Sequence, residues 1–483
     1  MRKLVIILCA PIDNLNMQEA LTRVEDFIAE GRRTGKTHQI ATVNADFVVK
    51  AISDPELRQL LQEVDMATAD GMPLVWGARI LGTPLEERVA GADMVPALAE
   101  LSARKRYSMF FLGAAPGVAA RAADILQTRY PGLQIVGVVS PPVSSIFEMD
   151  RAIIEQIKNV KPDILLVAFG NPKQEKWIGM YGRELGVPVM IGVGGTFDFI
   201  AGQTKRAPVW MQRIGFEWLF RLAQEPKRLW KRYVVDLTTF GSFFLRQWWL
   251  TRQKPLPTPL LPTADVILVE QTAILNIVGR ADFSNSTTIS QKGLEALDVV
   301  PHLIVNLSQA TFLDSMGVGA LVGLAKRAQD LGGSVKLAAV PDTVMKVLTM
   351  LRLNHFFEII PSLEDGLGFS QPTPVIKTEQ NGKWQVYPLP RRFDAETSPT
   401  ISEACTQLLH ITPYLILDFQ ETTFLASAGL AVLLNIKRLA EEKGGALRLA
   451  TCSADVQTVI KMVRFDKVFA LYPDLSSATT DSP

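Results

Sequence analysis

The chain has 483 residues, 48% of them hydrophobic and 20% charged, and its 50 Lys+Arg against 49 Asp+Glu leave a formal net charge of +1. This excludes a disordered, collagen-like or mucin-like chain, and the lack of a basic excess argues against a nucleic-acid partner. Cys9, Cys405 and Cys452 form no CxxC pair and His38, His302, His355 and His410 are scattered, so a disulfide scaffold and a zinc finger are excluded and a reducing compartment fits.

A chain of this length suggests about three domains. It opens Met-Arg-Lys followed by the apolar run Leu4–Ala10, which Pro11-Ile12-Asp13-Asn14 breaks without a small-residue cleavage site. A buried first strand fits better than a signal peptide. Further strands are expected at His38–Val43, Asp65–Ala69, Ser108–Leu112, Gln134–Val139, Asp163–Phe169 and Pro188–Val193. Helices are expected between them, at Met17–Glu30, Asp46–Ser53, Gly117–Arg129 and Met149–Val160. Such alternation gives an α/β fold with a Rossmann-like, mainly parallel sheet and helices on both faces. Its ligands bind at the carboxyl ends of the strands. No apolar run reaches the length of a membrane span, and the nearest, Tyr233–Leu250, contains Asp236 and Arg246.

A stretch carrying four prolines reads as a stiff linker over residues 251–264. Beyond it the chain repeats itself without a gap at an offset of 112 residues. Arg280 and Asp282 match Arg392 and Asp394, Phe312-Leu313 match Phe424-Leu425, Ser315 and Gly317 match Ser427 and Gly429, and Gly332-Gly333 match Gly444-Gly445. The period is too long for a solenoid and fits two tandem globular domains, at 265–368 and 375–478. The expected order in each is strand, strand, helix, strand, helix, with Leu303–Leu307, Met316–Leu331, Ser334–Ala339 and Thr343–Leu351 in the first copy.

The chemistry concentrates where N-terminal strands end. Thr42-Val43-Asn44-Ala45-Asp46-Phe47 passes from strand to helix and reads as a helix cap or as a set of ligand-facing polar groups. Asp70-Gly71 is a turn that can also present a carboxylate to a cleft, and a partly desolvated carboxylate can act as a general base. Arg88 and Asp93 follow in a charged loop. Three strand-to-glycine turns, at Gly113, at Gly170-Asn171-Pro172-Lys173-Gln174-Glu175 and at Gly194-Gly195 leading to Asp198, suit a nucleotide or nucleotide sugar better than any one of them does. Without a GxGxxG fingerprint, a nicotinamide-dependent dehydrogenase is disfavoured. Without an Asp-x-Asp element, no metal and no cofactor are called for, and basic residues such as Lys205, Arg206, Arg221, Arg228 and Lys231 would hold a diphosphate.

Six motifs in order make residues 1–240 resemble the WecG/TagA/CpsF glycosyltransferases. They are Thr42-x-Asn44-x-Asp46-Phe47, Ala69-Asp70-Gly71-Met72-Pro73, Arg88-x-x-Gly91-x-Asp93, Phe169-Gly170-x-Pro172-x-Gln174-Glu175, Gly194-Gly195-x-Phe197-Asp198, and Arg206-Ala207-Pro208 leading to Gly215-x-Glu217-Trp218. The resemblance implies inverting, metal-independent transfer of an N-acetylmannosamine-type sugar from UDP to a polyprenyl-diphosphate-linked acceptor. It places the catalytic base on Asp70, an assisting threonine on Thr42 and the site arginine on Arg88. It also implies that the segment after Gly215, rich in Trp, Phe and Arg, closes the site and rests on the membrane, as basic and aromatic residues suit an interfacial helix. The domain is then expected to run from 1 to 250 and to sit peripherally on the inner face of the cell membrane. The rival reading is an inactive nucleotide-sugar-sensing scaffold.

Leu313-Asp314-Ser315-Met316-Gly317 resembles the Asp-Ser-x-Gly signature of STAS domains, of the anti-sigma-factor-antagonist type. The resemblance implies partner binding switched by phosphorylation, with Ser315 and Ser427 the candidate sites and a serine kinase or anti-sigma-like protein the partner. A helix cap is the simpler role for Ser315. Ala426 replaces the acidic residue in the second copy, which puts kinase recognition there in question. The donor sugar, the acceptor lipid and a homo-oligomeric state are left open.

Overall fold

A single sheet in which all strands run parallel organises the N-terminal domain. The computed structural model describes residues 3–141, 151–213, 215–251, 263–269, 272–282, 285–354, 356–363, 365, 379–381 and 383–480. The sheet strands are β3 (His38–Val43), β4 (Met66–Ala69), β5 (Ser108–Gly113), β6 (Gln134–Val139), β7 (Ile164–Ala168) and β8 (Val189–Gly192). Their order is β4-β3-β8-β7-β5-β6. Central strands of a covered parallel sheet read as unbroken apolar runs, and β7, Ile-Leu-Leu-Val-Ala, is buried throughout.

Eleven helices described in this domain besides the first follow in turn: α2 (Ala45–Ser53), α3 (Pro55–Glu63), α4 (Met72–Ile80), α5 (Gly91–Lys105), α6 (Val118–Arg129), α7 (Arg151–Val160), α8 (Lys173–Leu185), α9 (Thr196–Ile200), α10 (Val209–Arg213), α11 (Glu217–Gln224) and α12 (Pro226–Thr251). The first, α1 (Met17–Thr34), starts at a reciprocal Asn16–Glu19 capping box and stops at Gly35, whose φ of 75° is left-handed. One sheet face packs α1, α5 and α6, and the other packs α2, α3 and α4.

The first run differs from its expectation. Leu4–Ala10 is not one strand but the antiparallel hairpin β1 (Leu4–Ile7) and β2 (Ala10–Asp13), separate from the main sheet. Leu8, at φ 55°, turns the chain. Burial of every residue hid the turn, because the run shows no polar break. The helix α12 runs through Thr251, and β9 begins at Thr263, inside the expected linker; the intervening proline run lies outside the described residues, as does the proline-bearing stretch Gln371-Pro372-Thr373-Pro374 that separates the two repeats in the sequence.

The N-terminal domain and the first repeat form one compact unit, and the second repeat anchors another. The first repeat contains β9 (Thr263–Val269), β10 (Thr272–Ala281), α13 (Ser286–Leu297), β11 (His302–Leu313), α14 (Ser315–Asp330), β12 (Ser334–Ala338), α15 (Asp342–Met350) and β13 (Glu358–Ile360). Its sheet order is β13-β12-β11-β10-β9, parallel except for the β9–β10 pair. The expected strand-strand-helix order missed α13, which separates β10 from β11. Its apolar positions, Ile289, Ala296 and Leu297, are diluted by buried serine and glycine.

The second repeat follows the same plan with β14 (Glu379–Asn381), β15 (Trp384–Pro388), β16 (Arg392–Phe393), α16 (Ser398–Ile411), β17 (Tyr414–Asp418), β18 (Phe424–Leu425), α17 (Ser427–Glu442), β19 (Ala446–Ala450), α18 (Ala454–Met462), β20 (Ala470–Tyr472) and α19 (Leu475–Thr480). The sequence matches have geometric causes. Arg280 Nε pairs with Asp282 at 2.5 Å and Arg392 Nε with Asp394 at 2.8 Å. A Cβ on Gly333 would lie 1.7 Å from the Pro301 carbonyl oxygen, and one on Gly445 1.8 Å from that of Pro413. Only glycine allows the helix to turn back against the strand entry there. Gly333→Ala and Gly445→Ala are each expected to cost about 1–3 kcal/mol, as overpacking does, read as a fall in the urea midpoint of the full chain.

Candidate active site

Parallel strands put their carboxyl ends on one edge, and the polar residues at those ends converge there. Thr42, near the end of β3, is 6% exposed and donates through Oγ1 to the Gly192 carbonyl at 3.2 Å. Next to it, Asp70 follows β4, and its amide donates to the Val43 carbonyl at 2.7 Å. The Asp70 carboxylate accepts the Gly91 amide at the start of α5. No Cβ fits easily on Gly91, since it would come within 3.2 Å of Thr42 Oγ1.

Burial pushes the Asp70 carboxyl up from the ordinary 3.8 to about 7. Arg88 and the Gly91 amide pull it down, and the Glu217 and Asp93 carboxylates push it further up. Desolvation disfavours the charged form, so Asp70 holds its proton until near neutrality and then becomes a base of matching strength.

The charges facing Asp70 form a closed network. Arg88 donates to Glu217 Oε2 and to Asp93 Oδ2, both at 3.1 Å. Arg206 donates to Asp93 Oδ1 at 2.6 Å and approaches Glu217 Oε1 at 3.6 Å. Two guanidinium groups thus share two carboxylates, and Glu217 brings the first turn of α11 to the cleft. Arg206 is expected only as one of the basic groups for a diphosphate, and Glu217 carries no expected role, because contacts such as Arg88–Glu217, 129 residues apart, leave no local trace.

The glycine turns are used differently from the expectation. Gly113, Gly170 and Gly194 all have positive φ. The amides of Gly170 and Gly194 do not point at a ligand: both donate to Gln174 Oε1, at 3.2 and 2.9 Å. Gln174 and Glu175, 3% and 1% exposed, lie beneath the turns, not on the cleft wall. Gln174 Nε2 donates to Glu175 Oε1 at 2.6 Å, and burial pushes the Glu175 carboxyl up to about 7. A Cβ on Gly192 would meet both side chains at 2.5 Å. Asn171, before Pro172, keeps both side-chain polar atoms buried without a hydrogen-bond partner.

The other expected residues divide. Asn44 caps α2 by accepting the Phe47 amide at 3.0 Å. Asp46 pairs with Lys50 at 2.8 Å, and Lys50 also donates to the Asn171 carbonyl at 3.1 Å. Sequence reading gave no role to Lys50 or to Asp236 on α12, whose carboxyl burial and Asp46 push up to about 6. Asp198 turns its carboxylate toward Gly195. Arg221 lies over the Phe199 ring, 5.4 Å from its centroid, and Lys231 over that of Trp230 at 5.7 Å. The Arg228 side chain lies outside the described residues, as does Phe283 of the first repeat.

Ser315 and Ser427 each open a helix and are each 3% exposed. Ser315 is not the cap of its helix: Asp314 is, accepting the amides of Met316 and Gly317 at 2.8 and 2.9 Å. Among the described residues no His, Cys, Asp and Glu side chains gather as a metal site, and no helix is long and apolar enough to cross a membrane.

Residues 5–254 match the family described as glycosyl transferase WecG/TagA/CpsF, and residues 263–366 and 375–478 match the STAS domain. The chain belongs to the WecG/TagA/CpsF glycosyltransferase family and carries two STAS domains. An N-acetylglucosaminyldiphosphoundecaprenol N-acetyl-beta-D-mannosaminyltransferase of Bacillus subtilis strain 168 is 34% identical over 194 residues, 40% of this chain and 73% of that one. The protein of the same description from Staphylococcus aureus strain MW2 is 29% identical over 225 residues, 47% of this chain and 86% of that one. Among solved structures, an anti-sigma factor antagonist from Mycobacterium paratuberculosis is 22% identical, covers 23% of this chain and 96% of its own, and has a TM-score of 0.22.

The raised Asp70 value carries a stability consequence. The folded state holds this proton more tightly than the unfolded state, so stability present below the ordinary carboxylate range is lost as pH rises toward about 7. Asp70→Asn is therefore expected to melt higher than the wild type at pH 8, with the advantage shrinking as pH falls toward 4; calorimetry across that range checks it.

Proposed function

We propose that this chain transfers an N-acetylmannosamine-type sugar from UDP to a polyprenyl-diphosphate-linked acceptor sugar, with inversion and without a metal, in cell-surface polysaccharide biosynthesis. The observation that carries the reading is the Asp70 carboxyl, half-buried and desolvated at a strand end, with Arg88 in its field and Thr42 beside it. The relatives reported above act, by their names, on a GlcNAc-diphosphoundecaprenol acceptor.

In this mechanism an acceptor hydroxyl oxygen forms its bond to the anomeric carbon while the bond from that carbon to the diphosphate oxygen breaks. The hydroxyl proton passes to Asp70, and UDP leaves from the opposite face. Thr42 orients the attacking group. Arg88 and Arg206, held by Asp93 and Glu217, present fixed positive charge to the negative charge growing on the diphosphate, and charge fixed in advance costs no reorganisation. The unsatisfied Asn171 amide supplies a donor and an acceptor for the nucleotide sugar, with Lys50 beside it. Gly113, Pro172, Gly195, Asp198 and Arg221 shape the remaining wall, with Lys231 at its rim.

The membrane surface is the second partner. Trp230, Val234, Leu237, Leu245 and Trp249 form one exposed stripe along α12, Leu237 being 74% and Trp249 60% exposed, while Leu229, Phe244 and Gln247 form the buried stripe opposite. Trp210 of α10 is 62% exposed, and Lys227, Lys231 and Arg246 supply exposed basic groups. An apolar face bordered by cations lies in a lipid interface, here the inner face of the cell membrane, where a lipid-linked acceptor is found. The STAS domains serve regulation or partner docking, and a serine kinase would reach Ser315 or Ser427 only after its hydroxyl is uncovered.

The test is UDP release by the purified chain given a panel of UDP-sugars and a polyprenyl-diphosphate-GlcNAc analogue in anionic vesicles. Release requiring both UDP-N-acetylmannosamine and the acceptor, and falling by at least about a hundredfold in Asp70→Asn, is expected. Full activity in Asp70→Asn would sink the mechanism, and donor binding without release would favour the inactive scaffold.

A further inference from the structure

The strand β1 is buried on both faces. Successive side chains of a strand point to opposite sides, and here the two sides belong to different cores. Val5 and Ile7 pack in the transferase core with α2 and α3, whereas Leu4 and Ile6 belong to the core of the first STAS domain.

The STAS helix α14 is cut to receive this strand. A Cβ on Gly319 would lie 2.6 Å from the Leu4 carbonyl oxygen, whereas one on Gly323, a turn further on, would meet nothing within 4 Å. In the second repeat the position of Gly319 is held by Ala431. Gly317 and Gly429, by contrast, are glycine in both copies because each closes on a strand of its own domain. The seat is therefore a feature of the first copy, not of the fold. Lys326 Nζ, also on α14, donates to the Val64 carbonyl of the transferase at 2.8 Å in a buried contact.

The same seam holds α12. Gln247 is fully buried, and its amide bridges β1, the turn after it and α14. Nε2 donates to the Ile6 carbonyl at 2.9 Å and to Ser315 Oγ at 3.1 Å, and Oε1 accepts the Leu8 amide at 2.8 Å. A buried amide with its partners in place fixes geometry, and the same amide without them is costly. We infer that the first STAS domain is an internal partner of the transferase, whose α14 face seats β1 and, through Ser315 and Gln247, latches the C-terminal half of α12. The C-terminal half of the helix bearing the exposed apolar stripe is therefore held in part by the docked STAS domain. The contacts alone carry the latch, and its consequence for the lipid-linked acceptor rests on the transferase reading.

The test compares two identical substitutions on one helix, by amide hydrogen exchange of the full chain without substrate. Alanine is the better helix former at both positions, so Gly319→Ala and Gly323→Ala differ only in whether the new methyl meets β1. Gly319→Ala is expected to speed exchange in residues 4–13 and 240–250 by about tenfold or more, as local opening does, while Gly323→Ala leaves both segments at or below the wild-type rate. Equal exchange in the two variants would overturn the latch. Should Gly319→Ala not fold, Ser315→Ala removes the one hydrogen bond that joins α14 to Gln247, without adding bulk to α14. Faster exchange in the same segments then supports the latch, and wild-type exchange overturns it. Exchange is read without turnover, so failure of the latch and failure of the transferase reading give separate results.

Discussion

Six strands that all run the same way impose one constraint on everything else in the transferase domain: their carboxyl ends share a single edge. Thr42, Asp70, Gly113, Gly170 and Gly192 come from distant parts of the sequence and meet there because each follows or ends a strand. Within that edge the decisive choice is the burial of the Asp70 carboxyl. An ionised carboxylate is costly to desolvate, and the chain offsets the cost only in part, with Arg88 and one helix amide. The incomplete compensation is what makes Asp70 chemically useful near neutral pH. Full pairing with Arg88 would make it a poor base, but Glu217 and Asp93 occupy that guanidinium. Stability is thereby surrendered at one residue to keep it reactive.

The buried Gln174–Glu175 pair plays a supporting part. It joins the turns after β7 and β8 through one side-chain oxygen, so two loops from different strands share a single anchor. A cleft wall built this way is rigid without contributing side chains to it. On the far side, α11 and α12 bring Glu217 to the charge network and Asp236 toward Asp46 while turning an apolar stripe outward. One terminal segment therefore touches the chemistry on one face and solvent on the other, an arrangement suited to a water-soluble donor and a lipid-linked acceptor.

Much of this was legible in the sequence, and the failures have definite causes. Strands β3 and β6 fall at their expected limits, because parallel-sheet strands bounded by turn residues are marked locally. The repeat was legible for a stronger reason: each matched glycine or ion pair answers the same close contact or the same positive φ in both copies. Asp70 and Thr42 were accessible as strand-end polar residues. Glu217, Lys50, Asp236 and the pairing of Arg206 with Asp93 were not, since these partners are set by tertiary packing. The hairpin at β1 was misread because a strand buried on two faces loses the alternation that would mark its limits, and the second face is covered by a domain 300 residues away in sequence. The amides of Gly170 and Gly194 were expected to face a ligand, and instead a buried glutamine takes that place.

The central claim is that the desolvated Asp70 carboxyl is the base that takes the acceptor proton. The most direct measurement is the pH dependence of the rate of UDP release with donor and acceptor both well below saturation, which reports the free enzyme's essential base. The account predicts a rate that rises with pH through a single inflection near 7, where burial places Asp70, and then levels off. A rate that is flat across neutral pH, or that inflects in the ordinary carboxylate range near 4, would contradict it.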